Sequence, residues 1–170
     1  MPRKPVLFVL ILLCFTLVFG QQRTFELADY YKVKYVGSPH VSPDGSTVAF
    51  TLTTYDMSAS EKETQIWIMN ADGENIRQLT TGEEDAIQPR WHPDVNRLMY
   101  VSKDTSTEKK QAYEIHIDSR EITQLTEFSM GVSKPNWSPD GEYIVFASRV
   151  FPEAGADSEM NKKIQEDMDA

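Results

Sequence analysis

Few residues in this chain have the types and spacing needed for chemistry. The stretch Trp91-His92-Pro93-Asp94-Val95-Asn96-Arg97-Leu98-Met99-Tyr100 places a histidine two residues before a carboxylate, and a His-Asp pair is a simple device for moving a proton. His40 and His116 are the other histidines. A zinc site needs ligands that converge at close spacing, and none of these pairs offers it, so no metal is expected. Asp44, Asp94 and Asp140 invite a carboxylate-cluster reading. Trp67, Trp91 and Trp137 could line a groove, and Glu83, Glu84 and Asp85 form an acidic run.

Whether these residues act depends on what positions them, and that is a repeat. "SPHVSPDGSTVAF" ending at Phe50, "QPRWHPDVNRLMY" ending at Tyr100 and "KPNWSPDGEYIVF" ending at Phe146 align without gaps, at separations of 50 and 46 residues. Pro39, Pro89 and Pro135 are in register, and so are Pro43, Pro93 and Pro139. A second pair recurs downstream: "IWIMNADGENIRQLT" ending at Thr80 and "AYEIHIDSREITQLT" ending at Thr126. Each unit thus holds about four short strands. A four-stranded sheet repeated at this period is the signature of a β-propeller blade.

The turn residues have a conformational explanation. In Ser42-Pro43-Asp44-Gly45 and Ser138-Pro139-Asp140-Gly141 proline presets its own φ, Asp suits the next position and Gly takes the left-handed conformation that lets the strand re-pair. A residue demanded by a turn recurs with every turn, whereas a catalytic residue is usually needed once. The three Asp are therefore assigned to turn chemistry. His92-Pro93-Asp94-Val95 is the degenerate second copy, with His for Ser and Val for Gly. A β-branched valine resists positive φ, so the left-handed role is expected to pass to Asn96. Trp91 and Trp137, at equivalent positions, are expected in the packing between blades, and Glu83, Glu84 and Asp85 are expected to be a solvated charge run. Asn136-Trp137-Ser138 matches a glycosylation sequon but lies in an expected strand followed by proline, and is read as silent.

Composition narrows the class. The formal net charge is -9, which repels nucleic acid and anionic membrane surfaces. Residues 1-20 combine Arg3 and Lys4, a charge-free apolar run and a small-residue end at Gly20, the pattern of a secretory signal peptide. Membrane contact is expected only through that segment. The single cysteine, Cys14, lies within it, so the mature chain would have no disulfide and no thiol chemistry. The expected organisation is a signal peptide over 1-20, a short helix capped by Thr24 and a leading strand over 21-37, blade one over 38-81 and blade two over 82-127. Blade three begins over 128-150, and an acidic helical insertion covers 151-170, with Met160, Ile164 and Met168 on one stripe. Residues 53-65 are read as an exposed polar loop lengthening a hairpin of blade one. The fold class is all-β: a partial propeller of about two and a half blades. A ring needs at least about four blades to close, so the chain is expected to be the front of a longer protein.

"SPHVSPDGSTVAF", "IWIMNADGENIRQLT" and "PNWSPDGEYIVF" resemble the propeller repeats of the prolyl oligopeptidase family of serine peptidases, particularly its dipeptidyl-peptidase and acylaminoacyl-peptidase branch. They also resemble those of TolB, a periplasmic propeller, over about residues 26-150. TolB carries a large α/β domain before its propeller, for which the chain has no room, and the lead "ELADYYKVKYVGSPHVSPDG" resembles the peptidases instead. The resemblance implies an exported protein, periplasmic or extracellular, whose propeller gates and orients short peptides for a C-terminal α/β-hydrolase domain. A TolB-like binding module without chemistry is the alternative. A nucleophile elbow needs Gly-x-Ser-x-Gly, which the chain lacks, so no catalytic residue and no cofactor are assigned and the chain alone is expected to be inactive.

Overall fold

The computed structural model describes residues 23-94 and 96-169, so the expected signal peptide lies outside the described residues. Of the described residues, 23-30 belong to a small unit of their own. It contains helix α1 (Leu27–Tyr30), and Thr24 does not cap it. The Asp29 carboxylate reaches back to accept the Glu26 amide at 3.0 Å, the returning half of a capping box, and it is also bound by Arg23.

The second unit is mostly β. Strands β1 (Tyr35–Val41), β2 (Thr47–Asp56), β3 (Glu61–Asn70) and β4 (Arg77–Gln78) form one antiparallel meander. Strands β5 (Ile87–Trp91), β6 (Arg97–Lys103), β7 (Lys110–His116) and β8 (Ile122–Gln124) form a second, and β9 (Ser133–Trp137) pairs with β10 (Ile144–Ala147) as the start of a third. Helix α2 (Ser158–Asp169) follows. The sheets are propeller blades that do not close on one another, and no described helix is long and apolar enough to cross a membrane.

The sheets stack through their first two or three strands. β5 contacts β1, β2 and β3, and β9 contacts β5, β6 and β7, while β4 and β8 touch only the strand beside them. The blades therefore fan outward from β1, β5 and β9. This stacking explains why the second strands carry apolar residues on both faces where they pass between blades: Leu98 and Tyr100 of β6 enter the cluster shared with blade one, and the intervening Met99 enters the cluster shared with blade three. Leu98 and Met99 are 0% exposed, and full burial of such a side chain is worth about 2 kcal/mol.

Each first strand carries a kink before its proline. Ser38, Gln88 and Lys134 have φ of 48°, 57° and 52°, and the register slips between Gly37 and His40 and between Ile87 and Arg90. A β-bulge leaves one residue outside the ladder, and proline suits the adjacent place because it has no N–H to pair. Pro89 and Pro135 are fully buried there.

One further expectation needs correction. Residues 53-65 are not a loop: β2 and β3 pair in register from Thr47↔Asn70 to Asp56↔Glu61, and only residues 57-60 turn. Thr53 and Thr64 exchange a hydroxyl contact at 3.0 Å across the ladder. The segment is polar because the hairpin runs out past its neighbours, and most of its tip faces water. The expected helix is present as α2, with Met160 and Met168 of its stripe 43% and 69% exposed. The anchor is Asn161, 0% exposed, which accepts the Phe151 amide at 2.7 Å and donates to the Gly155 and Asp157 carbonyls at 2.9 and 2.7 Å. Asp157 Oδ1 caps the helix by accepting the Met160 amide at 2.9 Å.

Candidate functional site

The turns come first, because they hold most of the residues singled out above. Ser42 N–H donates to Thr47 O at 2.8 Å and Gly45 N–H to Ser42 O at 2.9 Å. Ser42 Oγ accepts the Thr47 amide at 2.9 Å and donates to Asp44 Oδ1 at 2.6 Å, and Asp44 also accepts the Ser46 amide at 3.0 Å. Pro43 stands between them, and Gly45 has a φ of 73°. The third copy repeats the pattern: Ser138 N–H to Tyr143 O at 2.8 Å, the Tyr143 amide to Ser138 Oγ at 3.0 Å, Ser138 Oγ to Asp140, and Gly141 after Pro139 at a φ of 75°.

The middle copy has the same length, with His92 N–H donating to Arg97 O at 2.9 Å. Its imidazole replaces the serine hydroxyl. Nδ1 accepts the backbone amide of Asp94 at 2.9 Å, not its carboxylate, so His92 and Asp94 form a turn and not a proton-transfer dyad. Val95 lies outside the described residues, and with it the expected transfer of the left-handed position to Asn96. Asn96 itself places its amide 3.0 Å from His116 Nε2.

His92 also leaves its own blade. It is 5% exposed, and with Nδ1 accepting, Nε2 carries the proton and donates to Gly141 O at 3.2 Å. Its ring meets Trp137 edge to face at 4.6 Å, and Arg97 Nη2 lies 3.1 and 3.0 Å from its two nitrogens. Arg97 Nη1 in turn pairs with Glu114 at 3.6 Å. The seam between blades one and two is made differently: Trp91 Nε1 donates to His40 O at 2.9 Å, whereas the equivalent Trp137 Nε1 is buried without a partner. Both indoles pack between blades, and Trp67 is half-buried in β3.

The acidic run resolves into separate jobs. Asp85 accepts the Thr64 amide at 2.7 Å and lies 3.6 Å from Lys62, and Glu84 pairs with Lys103 at 3.1 Å. Glu83 stays exposed. Among the described residues no His, Cys, Asp and Glu side chains gather to hold a metal. A cleft of about 600 Å³ lies between the outer turn of blade two (Asp104, Thr107), the 127-130 segment and α2. Ser129 ties the helix down there, its amide to Ser158 Oγ at 2.9 Å and its hydroxyl to Ser158 O at 2.6 Å.

Sequence reasoning passed over Gln65 and Gln111, the partners of the closing Gln-Leu-Thr. Thr80 Oγ1 donates to Gln65 Oε1 at 2.7 Å and accepts the Ile66 amide at 2.9 Å. Thr126, Gln111 and Ala112 repeat this at 2.8 and 2.9 Å. The signal was present, since both glutamines stand one residue before the apolar stretch of the third strand, but a polar residue that follows other polar residues has no periodicity to mark it.

The turn carboxylates give these elements an acid dependence. Hydrogen bonds from Ser42, then Ser46, hold Asp44 down to about 2, and those from Ser106 and Thr107 hold Asp104 at about 2. Asp56 and Asp140 are lowered mainly by Ser58 and Ser138. A lowered folded value means the stabilisation is complete above the unfolded carboxylate value of about 3.9 and is lost as pH falls through the folded one. The urea midpoint is therefore expected to hold from pH 7 to about 4.5 and to fall between about 4 and 2. A midpoint unchanged at pH 2.5 would contradict this account.

Residues 23–166 match the family described as PD40, the TolB β-propeller domain. The chain is 30% identical over 67 residues to dipeptidyl-peptidase 5 of Porphyromonas endodontalis, an alignment covering 39% of this chain and 10% of that protein. It superposes on the β-propeller domain of the Trilobed protease from Pyrococcus furiosus with a TM-score of 0.56 and 20% identity, over 72% of this chain and 35% of the other. With acylaminoacyl peptidase of Pyrococcus horikoshii the TM-score is 0.57 and the identity 18%, over 72% and 18% of the two chains. At these identities the solved structures speak for the fold alone. The chain spans 10% and 12% of the length of the curated dipeptidyl-peptidases it matches.

Proposed function

Because the chain belongs to the TolB β-propeller domain family, we propose that it is the propeller part of an exported serine peptidase of the prolyl oligopeptidase type. In this reading the blades restrict access to short peptides and orient them for an α/β-hydrolase domain elsewhere in the protein. The observation that carries it is the likeness to dipeptidyl-peptidase 5, supported by blades that fan from β1, β5 and β9 and so leave an inner surface past which a chain can be threaded. The hydrolysis would be acyl transfer through a serine ester, with a histidine base. None of the residues described above takes part in that step.

One observation favours a second reading, a propeller that binds a protein or envelope partner without chemistry: the matching family is itself described by TolB. The two readings separate in the gene. The peptidase reading expects the reading frame to continue past codon 170 to a Gly-x-Ser-x-Gly followed by Asp and His, and the whole product to be labelled by a fluorophosphonate. A stop after about six blades, or an unlabelled product, would overturn it in favour of the binding module.

A further inference from the structure

The innermost strands reverse the charge of the molecule. The chain carries 26 acidic against 17 basic residues, yet β1, β5 and β9 contain no Asp or Glu and include His40, Arg90 and Lys134. The placement is repeat-wise: His40, Arg90 and Asn136 hold the same position in the three blades, with Lys134 two residues before Asn136. Because β1 contacts β5 and β5 contacts β9, and the Lys134 amide reaches Gln88 Oε1 at 2.8 Å, these residues stand on adjoining strands that together make the inner surface.

That surface is rich in donors and poor in acceptors. His40 Nδ1 accepts the Trp91 amide at 3.3 Å, which leaves Nε2–H as a donor on the neutral ring. Burial, and then the Arg90 guanidinium, hold His40 below its ordinary value. Arg90 spends one N–H on Pro89 O at 2.8 Å. Among the described residues neither Arg90 nor Lys134 has a carboxylate within ion-pair distance, although Lys62, Arg97 and Lys103 each do. Lys134 and Asn136 are exposed. Two unneutralised cations beside neutral donors are what a carboxylate needs, and the acidic remainder of the molecule repels anions from elsewhere.

We propose that the inner face of β1, β5 and β9 is a carboxylate-binding surface for peptides, in which Arg90 and Lys134 supply the charge and His40 and Asn136 supply neutral hydrogen bonds. The choice of a peptide as carrier rests on the peptidase reading. The carboxylate chemistry does not.

The test uses three blocked tripeptides titrated into the isotopically labelled 170-residue chain at low salt and followed by amide and side-chain NMR shifts. Ac-Ala-Ala-Ala-OH presents a terminal carboxylate, Ac-Ala-Asp-Ala-NH2 a side-chain one, and Ac-Ala-Ala-Ala-NH2 none. Binding of either acidic peptide, with the Asn136 side-chain amide among the shifted signals, is expected, and no binding of the neutral one. Which of the two acidic peptides binds identifies the source of the carboxylate. Arg90→Gln and Lys134→Gln should each raise the dissociation constant about fivefold or more, and 0.5 M salt should weaken binding. Lys134 is exposed, so its variant keeps the test valid if Arg90→Gln disturbs folding. Equal binding of the neutral peptide, no binding by any, or an unchanged constant in Lys134→Gln would overturn the proposal. A stop codon that sank the peptidase reading would leave these measurements standing.

Discussion

Replacing Gly141 by alanine is expected to destabilise the chain by about 3 kcal/mol or more, while the same change at Gly45 costs about 1 kcal/mol. The two glycines occupy the same place in the same turn, with φ of 75° and 73°, so the backbone penalty is common to both. They differ in what stands beside them. A Cβ on Gly45 meets nothing within 4 Å, whereas on Gly141 it meets His92 Cε1 and Nε2 at 2.5 Å. His92 is packed against Trp137 and Arg97 and cannot swing away without breaking the seam. Urea midpoints of the two variants test the difference. The double variant His92→Ser/Gly141→Ala should recover a good part of the loss, since serine at the equivalent turn position leaves the space open. Equal losses at the two glycines, or no coupling in the cycle, would show that His92 is not what constrains Gly141.

Gln111→Ala is expected to cost about 3 to 4 kcal/mol. The side chain is 2% exposed. Its Oε1 accepts from Thr126 Oγ1 at 2.8 Å and from the Phe128 amide at 3.1 Å, and its Nε2 donates to Phe128 O at 2.8 Å. Truncation strands the buried Thr126 hydroxyl and leaves the part-buried Phe128 amide and carbonyl without their partner, and the penalty for unpaired buried groups exceeds what the lost bonds were worth. Gln124→Ala is the control. Its Nε2 makes one bond, to Thr126 O at 2.8 Å, from an exposed strand, so a loss under about 1 kcal/mol is expected. Hydrogen exchange at Ala112, whose amide Thr126 accepts, should rise in Gln111→Ala and not in Gln124→Ala. A loss for Gln111→Ala no larger than that of the control would remove the clamp from the account.

What was legible in the sequence was whatever repeats locally. The Pro-Asp-Gly turns, the recurring Gln-Leu-Thr ends and the period near 50 all follow from interactions among residues close in the chain. The hairpin from Thr53 to Gln65 was misread because polarity was taken for irregularity, when a strand that extends past its neighbours needs no apolar face. Asn161 was missed because the stripe Met160, Ile164, Met168 offered a familiar period, and no period announces a buried amide. The seam of His92, Arg97, Glu114 and Trp137 joins residues up to 45 positions apart, so the sequence could mark His92 as a departure from the repeat without showing what it touches. The inner donors His40, Arg90 and Lys134 were hidden for the opposite reason: they are distributed one per blade, and only the convergence of β1, β5 and β9 turns them into a neighbourhood.

The two-sided burial of β6 has a consequence for folding. In most sheets a slip of one residue exchanges an oily face for a wet one and is rejected on that ground. In β6 it would merely exchange Leu98 and Tyr100 for Met99 and Val101, and all four are buried and apolar. Hydrophobicity therefore does not choose the alignment of this strand. The choice falls to polar fasteners at its two ends: the turn that joins His92 to Arg97, and the glutamine that locks β7 beside it. Weakening either should yield a chain that still collapses and still reads as β, but that pairs its central strand in more than one way.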